Sequence, residues 1–161
     1  PVLVKDTISV EGVRFTEGCV YHSDRVGSFS DPVVSRVEAM GGVVVGKTNT
    51  PEFAAGSTTF NELFATTTTP FDVSKTSGGS SGGSAAALAA GQAWLAIGSD
   101  LGGSLRTPAS YCGVVGLRPS LGLVPRSGSK DMCPDKHALH SVNGPMARNV
   151  RDLALLLDAI R

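Results

Sequence analysis

This chain has no excess of either charge. Lysines and arginines number 14, aspartates and glutamates 14, and the formal net charge is zero. No basic face therefore marks nucleic acid or an anionic membrane as a partner. Cysteine is scarce: Cys19, Cys112 and Cys133 form an odd set without a CxxC pair. That argues against a disulfide framework and favours a reducing compartment, with the cytoplasm as the expected location. Long apolar runs are missing, so no bilayer-spanning segment is expected. No signal peptide is visible either. The chain opens on PVLVKDT, already inside a strand pattern, and closes on the helical RNVRDLALLLDAIR. Both ends read as cut from a longer protein.

Small residues are what it does have. With 161 residues, 41% hydrophobic and 17% charged, the chain suffices for one domain with a real core. Its centre of organisation is Gly78–Arg118, where GGSSGGSAAALAAG is followed by QAWLAIGSDLGGSLRTPASYCGVVGLR. Two glycine-serine turns, Gly78–Ser84 and Gly102–Ser104, bracket a small-residue helix and a short apolar strand. Glycine lets backbone approach a ligand closely, and serine hydroxyls donate, accept or attack. A flexible Gly/Ser linker explains this poorly, because Trp, Leu, Ile and Cys recur through it at ordered spacing.

Along the chain, Pro1–Ile8 reads as a strand and Glu11–Ser30 as loop. Asp31 is placed to cap a helix with Pro32 at its first position and Val33, Val34, Val37 and Met40 at helical spacing, ended by Gly41-Gly42. Val43–Val45 reads as a buried strand, Thr50-Pro51-Glu52 as a short helix start, and Thr66–Thr69 as an extended loop. Ser84–Gly91 suits a helix and Trp94–Ile97 a buried strand. Gly98–Ser104 reads as a turn and Ser104–Cys112 as helical in part. Leu117–Val124 reads as a turn with a short strand. Pro125–His140 reads as a loop or insertion and Asn143-Gly144-Pro145 as a turn. Asn149–Arg161 forms an amphipathic helix with Val150, Leu153, Leu156 and Leu157 on one face. The strand–helix–strand order predicts an α/β architecture, a mixed sheet flanked by helices.

A serine nucleophile needs a base, and its oxyanion needs donors. Asp100-Leu101-Gly102-Gly103-Ser104 offers a hydroxyl together with consecutive N–H groups at Leu101, Gly102, Gly103 and Ser104. The available histidines, His22, His137 and His140, all lie in polar, loop-like contexts that suit surface positions. The other route to a base is a neutral lysine relayed through a second serine. Lys5 follows an apolar run and reads either as a strand end reaching solvent or as a buried amine with a lowered pKa.

The spaced pair GGSSGGSAAALAAG and AIGSDLGGSLRTPA resembles the amidase signature family of hydrolases. So do PVLVKDT upstream, and ASYCGVVGLRPSLGLVP and GPMARNVRDLALLLD downstream, so the resemblance covers nearly all of residues 1–161. Such a long spaced motif is far more specific than a lone GxSxG. The resemblance implies a Ser–Ser–Lys triad: Ser104 as nucleophile, Ser80 as bridging serine on a cis peptide, and Lys5 as base. It also implies oxyanion donors from Leu101 to Ser104 and supporting roles for Ser81, Asp100 and Arg106. No metal and no organic cofactor is required. The implied substrate is a small-molecule linear amide, and a homodimer is compatible.

Two other readings stand beside this one. The first is the amidase subunit of a tRNA-dependent amidotransferase, which releases ammonia from glutamine. GSKDMCPDKHALHSVNGPM departs from the SLDxxGP-like segment of those subunits and favours a free-standing hydrolase. The second is a non-catalytic or phosphate-binding module whose Gly78–Ser84 turn cradles an anion at a helix N-terminus, with a truncated, inactive family member as its variant. No GK[ST] follows the glycines, which disfavours a P-loop.

Overall fold

In the computed structural model, which describes residues 1–127 and 140–161, strands buried on both faces set the centre of the sheet. The elements run β1 (Val2–Lys5), α1 (Pro32–Ala39), β2 (Val44–Thr48), β3 (Phe60–Asn61), β4 (Ala65–Thr66), β5 (Thr68–Thr69) and β6 (Asp72–Thr76). They continue with α2 (Gly82–Ala89), β7 (Leu95–Asp100), α3 (Arg106–Tyr111), β8 (Val115–Gly116), β9 (Val142–Ala147) and α4 (Val150–Ile160). Five strands form one mixed sheet in the order β2-β1-β7-β9-β8. The β2, β1 and β7 strands are parallel; β9 runs antiparallel to both β7 and β8.

Successive strand residues face opposite sides, and the two sides are covered by different helices. Val2, Val4 and Ile97 pack with Val33, Val34 and Val37 of α1 and Leu156 and Ile160 of α4. Leu3, Ala96 and Met146 pack on the other face, with Ala85 and Leu88 of α2 and Leu105, Ala109 and Cys112 around α3. The result is a three-layer helix–sheet–helix arrangement, as the sequence pattern predicts. Small residues bring α2 close. A Cβ on Gly83 would lie 2.4 Å from the Asn49 backbone N, and one on Gly98 2.7 Å from Ser81 Oγ.

The helix caps form as expected: Asp31 Oδ1 accepts from the Val33 N–H, and the Asn149 side chain accepts from the Asp152 N–H. Several local expectations need correction. The first strand stops at Lys5, because the Ile8 N–H turns back to the Lys5 carbonyl. Val43, just before β2, and Val45 within it are exposed rather than buried. The threonine run is not a simple loop: it forms strands of two small hairpins, β3–β4 and β5–β6. Helix α2 begins at Gly82, ahead of Ser84. Trp94 lies outside β7 and is 60% exposed, whereas β7 runs on through Gly98, Ser99 and Asp100. The short strand near Leu117 is Val115–Gly116 instead.

Asn143-Gly144-Pro145 lies inside β9 and is not a turn. The Pro145 carbonyl accepts from the Leu117 N–H, so its nitrogen also faces the β8 side. The missing N–H therefore leaves the β7 ladder intact. On α1 and α4, Met40 and Val150 are exposed, and Ile160 completes the buried face of α4. Most of the Pro125–His140 segment, with Cys133 and His137, lies outside the described residues.

Candidate active site

Lys5 ends β1 on the face it shares with Leu3, the side covered by α2. The side chain is completely buried. Its Nζ lies 2.6 Å from Ser80 Oγ and 3.0 Å from Ser99 Oγ, hydrogen-bonded to both. Ser80 sits just before α2, and the Gly79–Ser80 peptide is cis. Burial lowers the Lys5 ammonium from 10.5 to about 7; the Asp100 carboxylate opposes that shift and Arg126 adds to it. An amine in that range is available as a base near neutrality.

The second turn leaves the C-terminal end of β7. Its first residue, Asp100, is fully buried. Its carboxylate accepts from the Gly103 N–H at 2.9 Å and the Leu105 N–H at 3.1 Å. It also accepts from Arg106 Nε and Nη2, each at 3.1 Å, and from Arg118 Nη1 at 3.1 Å. Burial alone would raise the Asp100 carboxyl. The hydrogen bonds from Arg106, Leu105 and Gly103 outweigh it and hold the group at about 2. Gly103 takes φ +120°, a region open to glycine, as the chain enters Ser104.

Ser81 ties the two turns together. Its N–H donates to the Ser104 carbonyl at 3.2 Å; its Oγ donates to the Ser99 carbonyl and accepts from the Ser99 N–H. Lys5, Ser80, Ser81, Asp100, Arg106 and Ser104 are thus gathered at the C-terminal ends of β1 and β7. This is the edge at which ligands bind open α/β sheets. Among the described residues, no hydrogen bond joins Ser104 Oγ to Ser80 Oγ; backbone contacts bring the turns together.

One expected donor must be corrected. The Gly103 N–H is engaged by Asp100 in this structure, because that bond closes the turn. The N–H groups of Leu101, Gly102 and Ser104 have no such side-chain acceptor among the described residues. Neither of the two described histidines is hydrogen-bonded to Lys5, Ser80 or Ser104. His22 packs edge-on to Phe53 on the loop after β1, and His140 contributes its carbonyl to Arg118. Ser99 and Arg118 are site residues that the sequence pattern did not single out. Ser99 directly precedes Asp100 in the motif, which was the available signal. Arg118 lies in the downstream motif ASYCGVVGLRPSLGLVP, but only folding shows that it returns to Asp100.

Lys47 and Asp6 form a separate ion pair, Nζ to Oδ1 3.0 Å, beside a cleft of about 330 Å³ that Arg14 and Phe64 also line. Among the described residues, no three His, Cys, Asp or Glu side chains are grouped to hold a metal, and no helix is long and apolar enough to cross a membrane.

The amidase family model matches residues 1–161. The chain belongs to the amidase signature family. A curated relative from Thermus thermophilus, one of the subunits of glutamyl-tRNA(Gln) amidotransferase, is 50% identical over 99% of this chain and 33% of its own length. The crystal structure of the corresponding Thermotoga maritima protein superposes with a TM-score of 0.89 at 43% identity, over 99% of this chain and 34% of that one. A 6-aminohexanoate cyclic dimer hydrolase, solved with its substrate, gives a TM-score of 0.91 at 40% identity, over 99% of this chain and 34% of that one. The chain therefore spans about a third of the proteins it matches. The family holds both hydrolases and amidotransferase subunits. The curated relatives lean toward the amidotransferase side, against the expectation drawn from the segment after Ser127.

Proposed function

We propose that this chain carries the Ser–Ser–Lys centre of an enzyme that cleaves the C–N bond of a carboxamide. The observation that carries the reading is the buried Lys5 amine, 2.6 Å from Ser80 Oγ with its pKa brought to about 7. Neutral Lys5 accepts a proton from Ser80 as Ser80 accepts one from Ser104. Ser104 Oγ attacks the amide carbon, and the oxyanion is received by the N–H groups of Leu101, Gly102 and Ser104. Ser80 then returns a proton to the departing nitrogen, because an unprotonated amine anion is a very poor leaving group. Water, activated by the same relay, attacks the acyl-Ser104 ester and releases the acid. Asp100, held ionised by its donors, keeps the turn in shape throughout.

Of the settings for this chemistry, release of ammonia from glutamine within a tRNA-dependent amidotransferase is favoured. It rests on the 50% identity to the Thermus thermophilus protein. In that setting the full-length protein works with partner subunits. A free-standing linear-amide hydrolase is the second reading, supported by the 40% identity to the cyclic dimer hydrolase and by the departure after Ser127.

The test uses the full-length protein that contains this chain. A fluorophosphonate is applied, the adduct is mapped by peptide sequencing, and ammonia release is compared between glutamine and small aliphatic and aryl amides. An adduct on Ser104, absent in Ser104→Ala, supports the centre. Glutamine turnover that rises when partner subunits are added supports the amidotransferase setting; preference for simple amides supports the hydrolase. No adduct on the folded protein overturns the reading.

A further inference from the structure

Arg118 lies on the loop that follows β8, past the α3 helix from Ser104. Its Nη2 donates to the His140 carbonyl at 2.6 Å, just before β9. Its Nη1 donates to the Asp100 main-chain carbonyl, reaches Asp100 Oδ1 at 3.1 Å, and lies 3.5 Å from the Leu101 carbonyl oxygen. Arg106 also binds the Asp100 carboxylate, but has no hydrogen bond to these carbonyls. Arg118 is thus the side chain that grips the backbone at the start of the nucleophile turn.

A trans peptide is planar and its N–H points opposite to its C=O. Fixing the Asp100 carbonyl therefore fixes the direction of the Leu101 N–H, and the weaker contact at the Leu101 carbonyl bears in the same way on the Gly102 N–H. Arg118 approaches from the β9 side of β7, since its other nitrogen is bonded at the entrance to β9. The other neighbour of β7 is β1, which ends at Lys5. The Leu101 N–H is therefore directed away from Arg118, toward the side where Lys5 and Ser80 stand. We infer that Arg118 is a positioning residue for the oxyanion donors: it holds the peptide planes whose N–H groups receive the oxyanion. The inference rests on the proposed Ser104 chemistry.

Its test measures the inactivation rate of the full-length protein by a fluorophosphonate across pH, whose pentacoordinate transition state also places charge on oxygen. Phenylboronic acid, which forms an anionic tetrahedral adduct with serine, is titrated beside it. Arg118→Gln is expected to slow inactivation and weaken boronate binding by tenfold or more each, below the 10²–10³-fold cost of deleting an oxyanion donor outright. The pH midpoint set by Lys5 should stay in place and the melting temperature should change little. Arg118→Lys, which keeps one donor but loses the fork, should fall between, and it replaces Arg118→Gln if that variant does not fold. Arg106→Gln, which disturbs only the carboxylate, should lose less. Unchanged rates in the Arg118 variants, an equal loss in Arg106→Gln, or a shifted pH midpoint each overturns the inference. A wild type without an adduct on Ser104 instead overturns the parent reading.

Discussion

Single side chains make the sharpest claims. Only neutral Lys5 accepts a proton, so kcat/KM should rise with pH through about 7 with unit slope and then level. A pH–rate profile on an amide substrate checks this, and Lys5→Ala should cost about 10²–10⁴-fold. Stability carries the same signature. The Lys5 pKa is depressed on folding, so the unfolded chain binds more protons between about 7 and 10.5. Lys5 is therefore destabilising below that window, and the penalty fades as pH rises through it, by at most about 1.4 kcal/mol per pH unit. Urea titrations should find Lys5→Met more stable than wild type at pH 7, with the gap closing by pH 10. Asp100 has the opposite sign: its pKa is depressed, so its contribution is present above 3.8 and lost as pH falls through about 2. Every partner of its carboxylate is a donor. An amide at that position sets its own N–H against them however it is turned. Asp100→Asn should therefore lose about 1–3 kcal/mol for each donor left unpaired, read as a lowered melting temperature together with weakened labelling of Ser104.

Elements rather than residues decide how closely the two serine turns approach. Helix α2 reaches the sheet because Gly82, Gly83, Ser84 and Ala85 carry little or nothing outward. A Cβ at Gly83 would meet the Asn49 backbone, at N 2.4 Å and O 2.6 Å, which cannot rotate away. Gly83→Ala should push the start of α2 off β2, cost about 1–3 kcal/mol and slow fluorophosphonate labelling; thermal melts and labelling rates together check this. At this scale the helices were legible from capping and periodicity: Asp31-Pro32 opens α1 and Asn149 opens α4. The strands were less legible. Pro145 looks like a turn residue until the β8 side of β9 is seen to end beside it. The threonine run looks like a loop because the strands of its hairpins are only two to five residues long.

At the scale of the whole chain, the sheet formed by the described residues ends at an edge strand. Strand β2 lies at one end, with Val43 and Val45 facing outward. Produced alone, residues 1–161 should associate through that edge, and Val45→Lys should suppress the association in sedimentation. Sequence by itself determined the α/β class, the family and the catalytic candidates, because the two glycine-serine motifs are local, spaced and chemically specific. It left the state of Lys5 open: an amine after an apolar run reads equally as solvated or buried, and only packing under α2 removes its water. It also counted the Gly103 N–H among the candidate oxyanion donors, whereas in the folded chain that N–H donates to Asp100. Ser99 and Arg118 lie within the motif-bearing stretch, but their bonds to Lys5 and Asp100 came from tertiary structure, because contacts between separate segments depend on strand order and on loop return, and neither is written in local pattern.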